Sequence, residues 1–362
     1  MHVLTIIGNR PQFVKLAAVS PLLRERNLET LVHTGQHHDR ELSDVFFEQL
    51  GLPEPDHNLG IAGGSNSEQT SRMIAALAPL IAEVGPDVVL VYGDTNSTLA
   101  GALVAAQLHV PLAHVEAGLR SFDRSMPEEV NRVVCDSLAD LLLAPGSAAA
   151  ENLAREGAHG DVVVTGDVMG DLVLSMQGRF TMPDLPAEPG EYFLVTAHRA
   201  ANVDDPARLE RLVDLLLGLV LPVFFPVHPR TRARLSQAGL LDRLEAAENI
   251  HLVQPLDYAS TMALAKDARA VLTDSGGLQK EAVWLGTQCI TLRPSTEWIE
   301  TLEGGWNTLV DLDAGLLADA LAAEPAGDPP QLYNAGAAGA AVVAALEARF
   351  APVGGLPGVE SA

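Results

Sequence analysis

The stretch Val88–Arg120, VVLVYGDTNSTLAGALVAAQLHVPLAHVEAGLR, decides the fold. It opens on a continuous apolar run, Val88–Tyr92, and reaches a second at Leu112–Val115, with a helical pattern over Ser97–Leu108 between them. Apolar runs without alternation suit strands covered on both faces, and two of them joined by a helix make a parallel βαβ unit. Each run ends in a polar cluster, Gly93-Asp94-Thr95-Asn96 after the first and Glu116-Ala117-Gly118-Leu119-Arg120 after the second.

The scheme repeats in both directions along the chain. Towards the N-terminus lie Val3–Ile7 and Thr30–His33; beyond the unit come Leu141–Ala144 and Val162–Thr165. A second series follows at Tyr192–Thr196, Pro222–Val227, Ile250–Val253, Ala270–Thr273 and Gln288–Leu292, with helical patterns such as Gln69–Val84 and Pro206–Leu219 interposed. This alternation predicts an α/β protein of two Rossmann-like, doubly wound parallel-sheet domains. The boundary falls between Gly166 and Gly190, around the Pro-rich segment RFTMPDLPAEPGE (179–191). The expected organisation is residues 1–170 and 171–335, an Ala-rich final helix over 336–350 packing back towards the first domain, and a flexible tail over 351–362.

Length and charge narrow the function. At 362 residues with 48% hydrophobic composition, the chain can build two sizeable cores. Its 23 Lys and Arg face 47 Asp and Glu, a net charge of −24 that argues against a nucleic-acid partner but leaves room for an anionic small ligand held by a few gathered cations. Cys135 and Cys289 form no CxxC pair and read as buried thiols. The start, MHVLTIIGNRPQF, lacks the basic region of a signal peptide, and the apolar stretch Leu215–Val227 is too short for a membrane span and broken by Pro222. A soluble, cytoplasmic protein with no membrane partner is expected.

The polar clusters all follow strands: Gly8-Asn9-Arg10-Pro11, the two quoted above, then His198-Arg199, His228-Pro229-Arg230, Asp274-Ser275-Gly276-Gly277 and Arg293. Open parallel sheets bind ligands beyond the carboxyl ends of their strands, so two such sheets facing a cleft would each supply half a site. The turn Thr273–Glu281 combines a strand, small residues and a helix start, which suits a diphosphate held by backbone N–H groups. Glu281 is placed to accept from ribose hydroxyls, and Arg10 and Lys15 to add cations; ordinary turn chemistry is the competing account of Ser275-Gly276-Gly277. Asp94 and Glu116 share one rim, although Asp94 would also serve as a helix N-cap. Glu128 and Glu129 open a helix after Pro127, where acids favour the dipole. His198 and His228 are candidates or rim residues; His37, His38, His109, His114 and His159 are read as structural or solvent-facing. No HExxH, EF-hand or thiolate cluster is present, and no GxGxxG or GxSxG, so neither a metal nor another cofactor is expected.

The chain resembles the bacterial non-hydrolysing UDP-N-acetylglucosamine 2-epimerases over about residues 2–312, through GNRPQFVKLAAV (8–19), TGQHHD (34–39), YGDTNSTLAG (92–101), HVEAGLRS (114–121), MPEEVNR (126–132), TGDVMGD (165–171), HRAANVDD (198–205), PVHPRTR (226–232) and TDSGGLQKEA (273–282). The resemblance implies a glycosyltransferase-B-like fold, a homodimer, and reversible inversion of C2 of UDP-N-acetylglucosamine, giving UDP-N-acetylmannosamine, by elimination of UDP to a 2-acetamidoglucal and re-addition. It implies catalytic roles for Asp94, Glu116, Glu128 and His198. It implies nucleotide-sugar contacts for Arg10, Lys15, Arg132, Ser275, Gly276 and Glu281, to which His228, Leu256, Tyr258, Gly277 and Arg293 are added. One departure concerns substrate: Glu297 is followed by Trp298-Ile299 where many members have Arg-Pro, leaving Arg293 as the substitute cation. This keeps a 2-epimerase of UDP-2,3-diacetamido-glucuronic acid as an alternative, and a UDP-dependent glycosyltransferase as one of another class.

Overall fold

A computed structural model describes residues 1–36, 51–186 and 188–351, apart from the side chain of Arg10. His37, His38 and Asp39 of the TGQHHD motif, and the tail from Pro352, lie outside the described residues. The chain divides into two units, Met1–Leu172 with the segment from Tyr333 onward, and Val173–Leu332.

The first unit contains β1 (His2–Ile7), α1 (Arg10–Arg24), β2 (Leu28–His33), β3 (His57–Asn58), α2 (Asn66–Val84), β4 (Val88–Tyr92), α3 (Asn96–Gln107), β5 (Leu112–Val115), α4 (Pro127–Leu138), β6 (Leu141–Ala144), α5 (Ser147–Glu156), β7 (Asp161–Val164) and the start of α6 (Val168–Met176). Its seven strands run in the order β3-β2-β1-β4-β5-β6-β7, and every pairing is parallel. β1, β4, β5 and β6 are almost wholly apolar and buried, as strands sandwiched between helices must be. The register pairs Val3 with Val88 and Val89 with Leu112, which brings the ends of β1, β4 and β5 to one edge.

The helix starts are written locally. Asn9 accepts the N–H of Gln12 ahead of Pro11 in α1, and Ser65 forms a capping box with Glu68 at α2. Thr95 forms another with Thr98 at α3. Asp94 is therefore not the N-cap that its position allowed, and its carboxylate is left for other work.

The second unit holds β8 (Phe193–Thr196), α7 (Ala200–Val203), α8 (Pro206–Leu217), β9 (Val223–Pro226), α9 (Pro229–Gln237), α10 (Leu241–Glu245), β10 (Ile250–Val253), α11 (Tyr258–Asp267), β11 (Ala270–Thr273), α12 (Gly276–Trp284), β12 (Cys289–Thr291), β13 (Asn307–Leu309) and α13 (Ala314–Ala322). Six parallel strands run in the order β10-β9-β8-β11-β12-β13. Two strands went unread in the sequence. β3 and β13 have two and three residues, too short to display a period.

The last helix, α14 (Ala338–Phe350), belongs to the first unit and packs on α1. Asp171 caps it, accepting the backbone N–H groups of Gly336, Ala338 and Gly339 at 2.7, 3.1 and 2.7 Å. Asp167 N donates to Tyr333 O at 2.7 Å, and Asn334 Nδ2 to Thr165 O at 3.0 Å. Most of the TGDVMGD motif thus receives the returning chain. Gly339 is where the two helices touch most closely, since a Cβ there would lie 2.2 Å from the carbonyl oxygen of Ala18. In an open helix Gly→Ala stabilises by about 1 kcal/mol; here the clash reverses the sign. Gly339→Ala is expected to destabilise the first unit by about 1–3 kcal/mol in thermal denaturation, and a raised melting temperature would contradict the close contact.

Candidate functional site

In the first unit the loops after β4 and β5 gather two carboxylates and two cations. Gly93 takes a left-handed turn (φ +62°), and a Cβ on it would lie 2.9 Å from Lys15 Nζ, so glycine lets the ammonium lie against the loop. Lys15 projects from α1 and pairs with Glu116 Oε2 at 2.7 Å, the two side chains being 9% and 12% exposed. Arg132, from α4, reaches Asp94 Oδ2 at 2.5 Å and Glu129 Oε2 at 3.0 Å. Asn131 Nδ2 donates to Asp94 O at 2.9 Å, fixing the loop itself.

Each carboxylate therefore has its own cation. Burial works against the charge on Lys15, but Glu116 and then Asp94 outweigh it and raise the ammonium above its ordinary value. Arg132 is raised in the same sense, burial being overcome by Asp94, Glu129 and Glu116. Glu116 holds φ +71°, a left-handed backbone that costs a non-glycine residue on the order of 1–3 kcal/mol. Strain of that kind persists where surroundings over-determine it, and it re-aims the side chain that follows the strand.

Glu128 and Glu129, adjacent in sequence, part company. Glu129 is buried and accepts the N–H groups of Ser121 and Phe122 at 2.9 Å each, besides Arg132, and so anchors the preceding loop. Glu128 lies exposed in the first turn of α4 with no hydrogen bond or ion pair among the described residues. Arg10 opens α1, with its side chain outside the described residues.

The second unit assembles another cluster around Asp274, which is fully buried. Its carboxylate accepts the N–H groups of His198 (3.1 Å) and Arg199 (3.0 Å) and Asn202 Nδ2 (3.1 Å), and lies 3.6 Å from His198 Nδ1. Thus the loop after β11 positions the loop after β8. Asp274 and Asn202 stand inside the TDSGGLQKEA and HRAANVDD motifs, and the signal for Asp274 is an acid ending a strand beside a small-residue turn. Burial, together with His228 and Arg199, pushes the His198 imidazole below its ordinary value against the pull of Asp274. The rings of His198 and His228 stand 6.3 Å apart. His228 also caps α9, its Nδ1 accepting from Arg230 N at 3.2 Å.

Ser275 ends in an extended conformation at the start of α12 and makes no side-chain cap, which leaves the first N–H groups of that helix open to an anion. A Cβ on Gly276 would lie 2.6 Å from Glu297 Oε1, so the Glu297 side chain would have to shift to admit one. Gly277 is less confined: its nearest neighbour, Glu281 Oε2, would be 3.9 Å away. One turn on, Glu281 accepts the Tyr258 hydroxyl at 3.0 Å. Leu256 is half-buried in the loop before α11.

Arg293 is not a free substitute cation: it pairs with Glu297 at 2.8 Å, and Arg199 Nη2 lies 3.6 Å from the same carboxylate. Burial opposes ionisation of Glu297, but Arg293 and then Arg199 lower it. Trp298 is buried, with Lys280 Nζ 3.4 Å from its ring centroid. The residue that replaces the family's arginine is thus packed under a lysine. Among the described residues no group of three His, Cys, Asp or Glu could hold a metal ion, and no helix is long and apolar enough to cross a membrane.

The Glu129 anchor has a pH signature. Burial raises its carboxyl, yet the N–H groups of Ser121 and Phe122 and the Arg132 guanidinium more than reverse this and hold it below the usual value. A depressed carboxylate stabilises the fold above the unfolded value, about 4.3, and that stability drains away as pH falls through the folded one. Glu129→Gln should cost about 1–3 kcal/mol at pH 7 in denaturant unfolding, and the gap to wild type should narrow below about pH 4. A gap independent of pH would contradict the anchoring.

The chain matches the family model described as UDP-N-acetylglucosamine 2-epimerase over residues 22–347. It is similar to the UDP-N-acetylglucosamine 2-epimerase homolog of Methanococcus maripaludis, 44% identical over 86% of this chain and 88% of that one. It is also 44% identical to the UDP-2,3-diacetamido-2,3-dideoxy-D-glucuronate 2-epimerase of Pseudomonas aeruginosa, over 93% and 97% of the two chains. Among solved structures, that of Methanocaldococcus jannaschii UDP-GlcNAc 2-epimerase in complex with UDP-GlcNAc and UDP aligns with a TM-score of 0.86 at 37% identity, covering 96% of this chain and all of that one. With the strand-end carboxylates, the open helix start and these similarities together, the chain belongs to the UDP-N-acetylglucosamine 2-epimerase family.

Proposed function

We propose that the protein interconverts UDP-N-acetylglucosamine and UDP-N-acetylmannosamine without releasing UDP as product. The observation that carries this reading is the pair Asp94 and Glu116, on successive strand ends of one βαβ unit, each held by its own cation. Inversion at C2 needs a group to take the C2 proton and another to return one on the opposite face. The C2 proton is only weakly acidic, so the C1–O bond to UDP must break with it, forming a C1=C2 double bond. Re-protonation at C2 and return of the UDP oxygen to C1 complete the cycle. Nothing is oxidised overall, and no cofactor is called for.

In this reading the first unit supplies the acid–base chemistry through Asp94, Glu116 and Glu128. Lys15 and Arg132 pair with Glu116 and Asp94, and Arg10 adds a cation. The second unit holds UDP: the open N–H groups of α12 with Ser275, Gly276 and Gly277 take phosphate oxygens, and Glu281, steadied by Tyr258, takes ribose hydroxyls. Leu256 lines the base side. His198, kept neutral at working pH by its surroundings, and His228 serve the departing diphosphate. The protein is taken to act as a cytoplasmic homodimer supplying activated N-acetylmannosamine for cell-surface polysaccharide.

A second substrate has one observation in its favour. Trp298 lies buried where many members carry Arg, while Arg199 and Arg293 gather on Glu297. The relative acting on a diacetamido-glucuronate is as similar in identity as any quoted above.

Proton NMR of the protein with UDP-N-acetylglucosamine in D2O is the direct test. Deuterium at C2 of UDP-N-acetylmannosamine, with UDP attached, is the expected result. Free UDP with N-acetylmannosamine would indicate hydrolysis, and no reaction would overturn the N-acetylglucosamine assignment and move the test to the diacetamido-uronate. Asp94→Asn and Glu116→Gln should each lower kcat by about 10²–10⁴-fold while leaving UDP binding by calorimetry intact.

A further inference from the structure

The loops that carry Asp94 and Glu116 are tied to one buried carboxylate that touches neither. His114, on β5, is fully buried, with Nε2 2.7 Å from Gly93 O and Nδ1 2.7 Å from Asp136 Oδ1 on α4. The other oxygen of Asp136 accepts Gly118 N at 3.0 Å and lies 2.7 Å from Arg120 Nη1. Arg120 is held in turn by Glu156, at 2.9 and 2.6 Å. One end of this network therefore grips the residue before Asp94, through His114. The other grips the backbone two residues beyond Glu116, where the chain runs through a left-handed conformation at Glu116 itself.

We propose that Asp136, acting through His114 and the Gly118 N–H, is a positioning residue that sets how the Asp94 and Glu116 carboxylates face a substrate. The proposal rests on the epimerase reading above and names a device within it. Hydrogen-bond chemistry makes the device specific. The Gly93 carbonyl can only accept, so Nε2 of His114 donates to it, while Nδ1 is engaged by Asp136. Burial raises the Asp136 carboxyl, but His114 and then Arg120 outweigh it and hold it low. Neither nitrogen has a donor to spare for substrate, which makes His114 a strut between the two loops. Reactions that need two groups on opposite faces of one carbon are sensitive to such placement, a displacement of about 1 Å costing on the order of 10²-fold.

The test compares wild type with Asp136→Asn and His114→Gln at a temperature where each is folded by circular dichroism. Glu156→Gln, which weakens only the outer hold on the Arg120 side chain and leaves the His114 and Gly118 contacts of Asp136 in place, is the control. The expected result is a fall in kcat of about 10²-fold in the first two, with KM for UDP-N-acetylglucosamine and Kd for UDP changed by less than about threefold, and no fall in the control. A merely structural role would lower the melting temperature and leave kcat of the folded variants alone; that outcome overturns the proposal. Wild type that binds UDP but never exchanges the C2 proton overturns the epimerase reading, and the positioning claim with it. Turnover by wild type with an unimpaired Asp136→Asn overturns the positioning claim alone. Should Asp136→Asn fail to fold, His114→Gln decides by the same comparison: a folded variant with unimpaired kcat overturns the proposal.

Discussion

Parallel pairing of β1, β4 and β5 is the constraint on which the rest of the first unit depends. With Val3 opposite Val88 and Val89 opposite Leu112, the residues that end these strands arrive at one edge together. In an antiparallel arrangement Asp94 and Glu116 would leave at opposite ends of the sheet. Because the strands are parallel, α1 and α4 also present Lys15 and Arg132 to that edge, and each carboxylate meets a cation. Such partly buried pairs add little net stability, since desolvation offsets much of the attraction. Their consequence is chemical: two carboxylates at a rim, with positive charge already in place.

The second unit answers the same constraint with a different chemistry. β8 and β11 are neighbours in its sheet, and Asp274 at the end of β11 secures the loop that carries His198 and Arg199. Beside it, α12 begins with no side-chain cap and with a glycine where a Cβ would press on the Glu297 side chain. Backbone N–H groups are thereby left without a side-chain cap at the start of α12, with the Glu297 carboxylate close by. The carboxylate–cation pairs and the uncapped helix start consequently lie in two different units, each with its own sheet.

Three motifs changed meaning once packing was visible. TGDVMGD looks like a functional signature, yet Asp167 and Asp171 receive the returning C-terminal segment by accepting or donating to its backbone. Glu128 and Glu129 were indistinguishable as letters at a helix start; one turned inward to three hydrogen-bond donors and the other stayed in solvent. Arg293, read as a cation spare for substrate, is neutralised by Glu297 four residues on.

What the sequence determined by itself is therefore what is local or periodic. Continuous apolar runs fix strands covered on both faces, capping residues such as Asn9 and Ser65 fix helix starts, and the polar clusters fix which end of each strand matters. The motifs around Asp94, Glu116 and Ser275-Gly276-Gly277 also carried the family. Tertiary structure alone decided pairing: which cation meets which carboxylate, that Thr95 and not Asp94 caps α3, and that His114 and Asp136 join two loops from within. These partners lie 22 to 101 residues apart in the chain or turn on a side-chain choice between neighbours. The reason is physical. A strand or cap is stabilised by its own neighbours in sequence, whereas a buried charge is settled only by whatever the finished fold brings within reach of it.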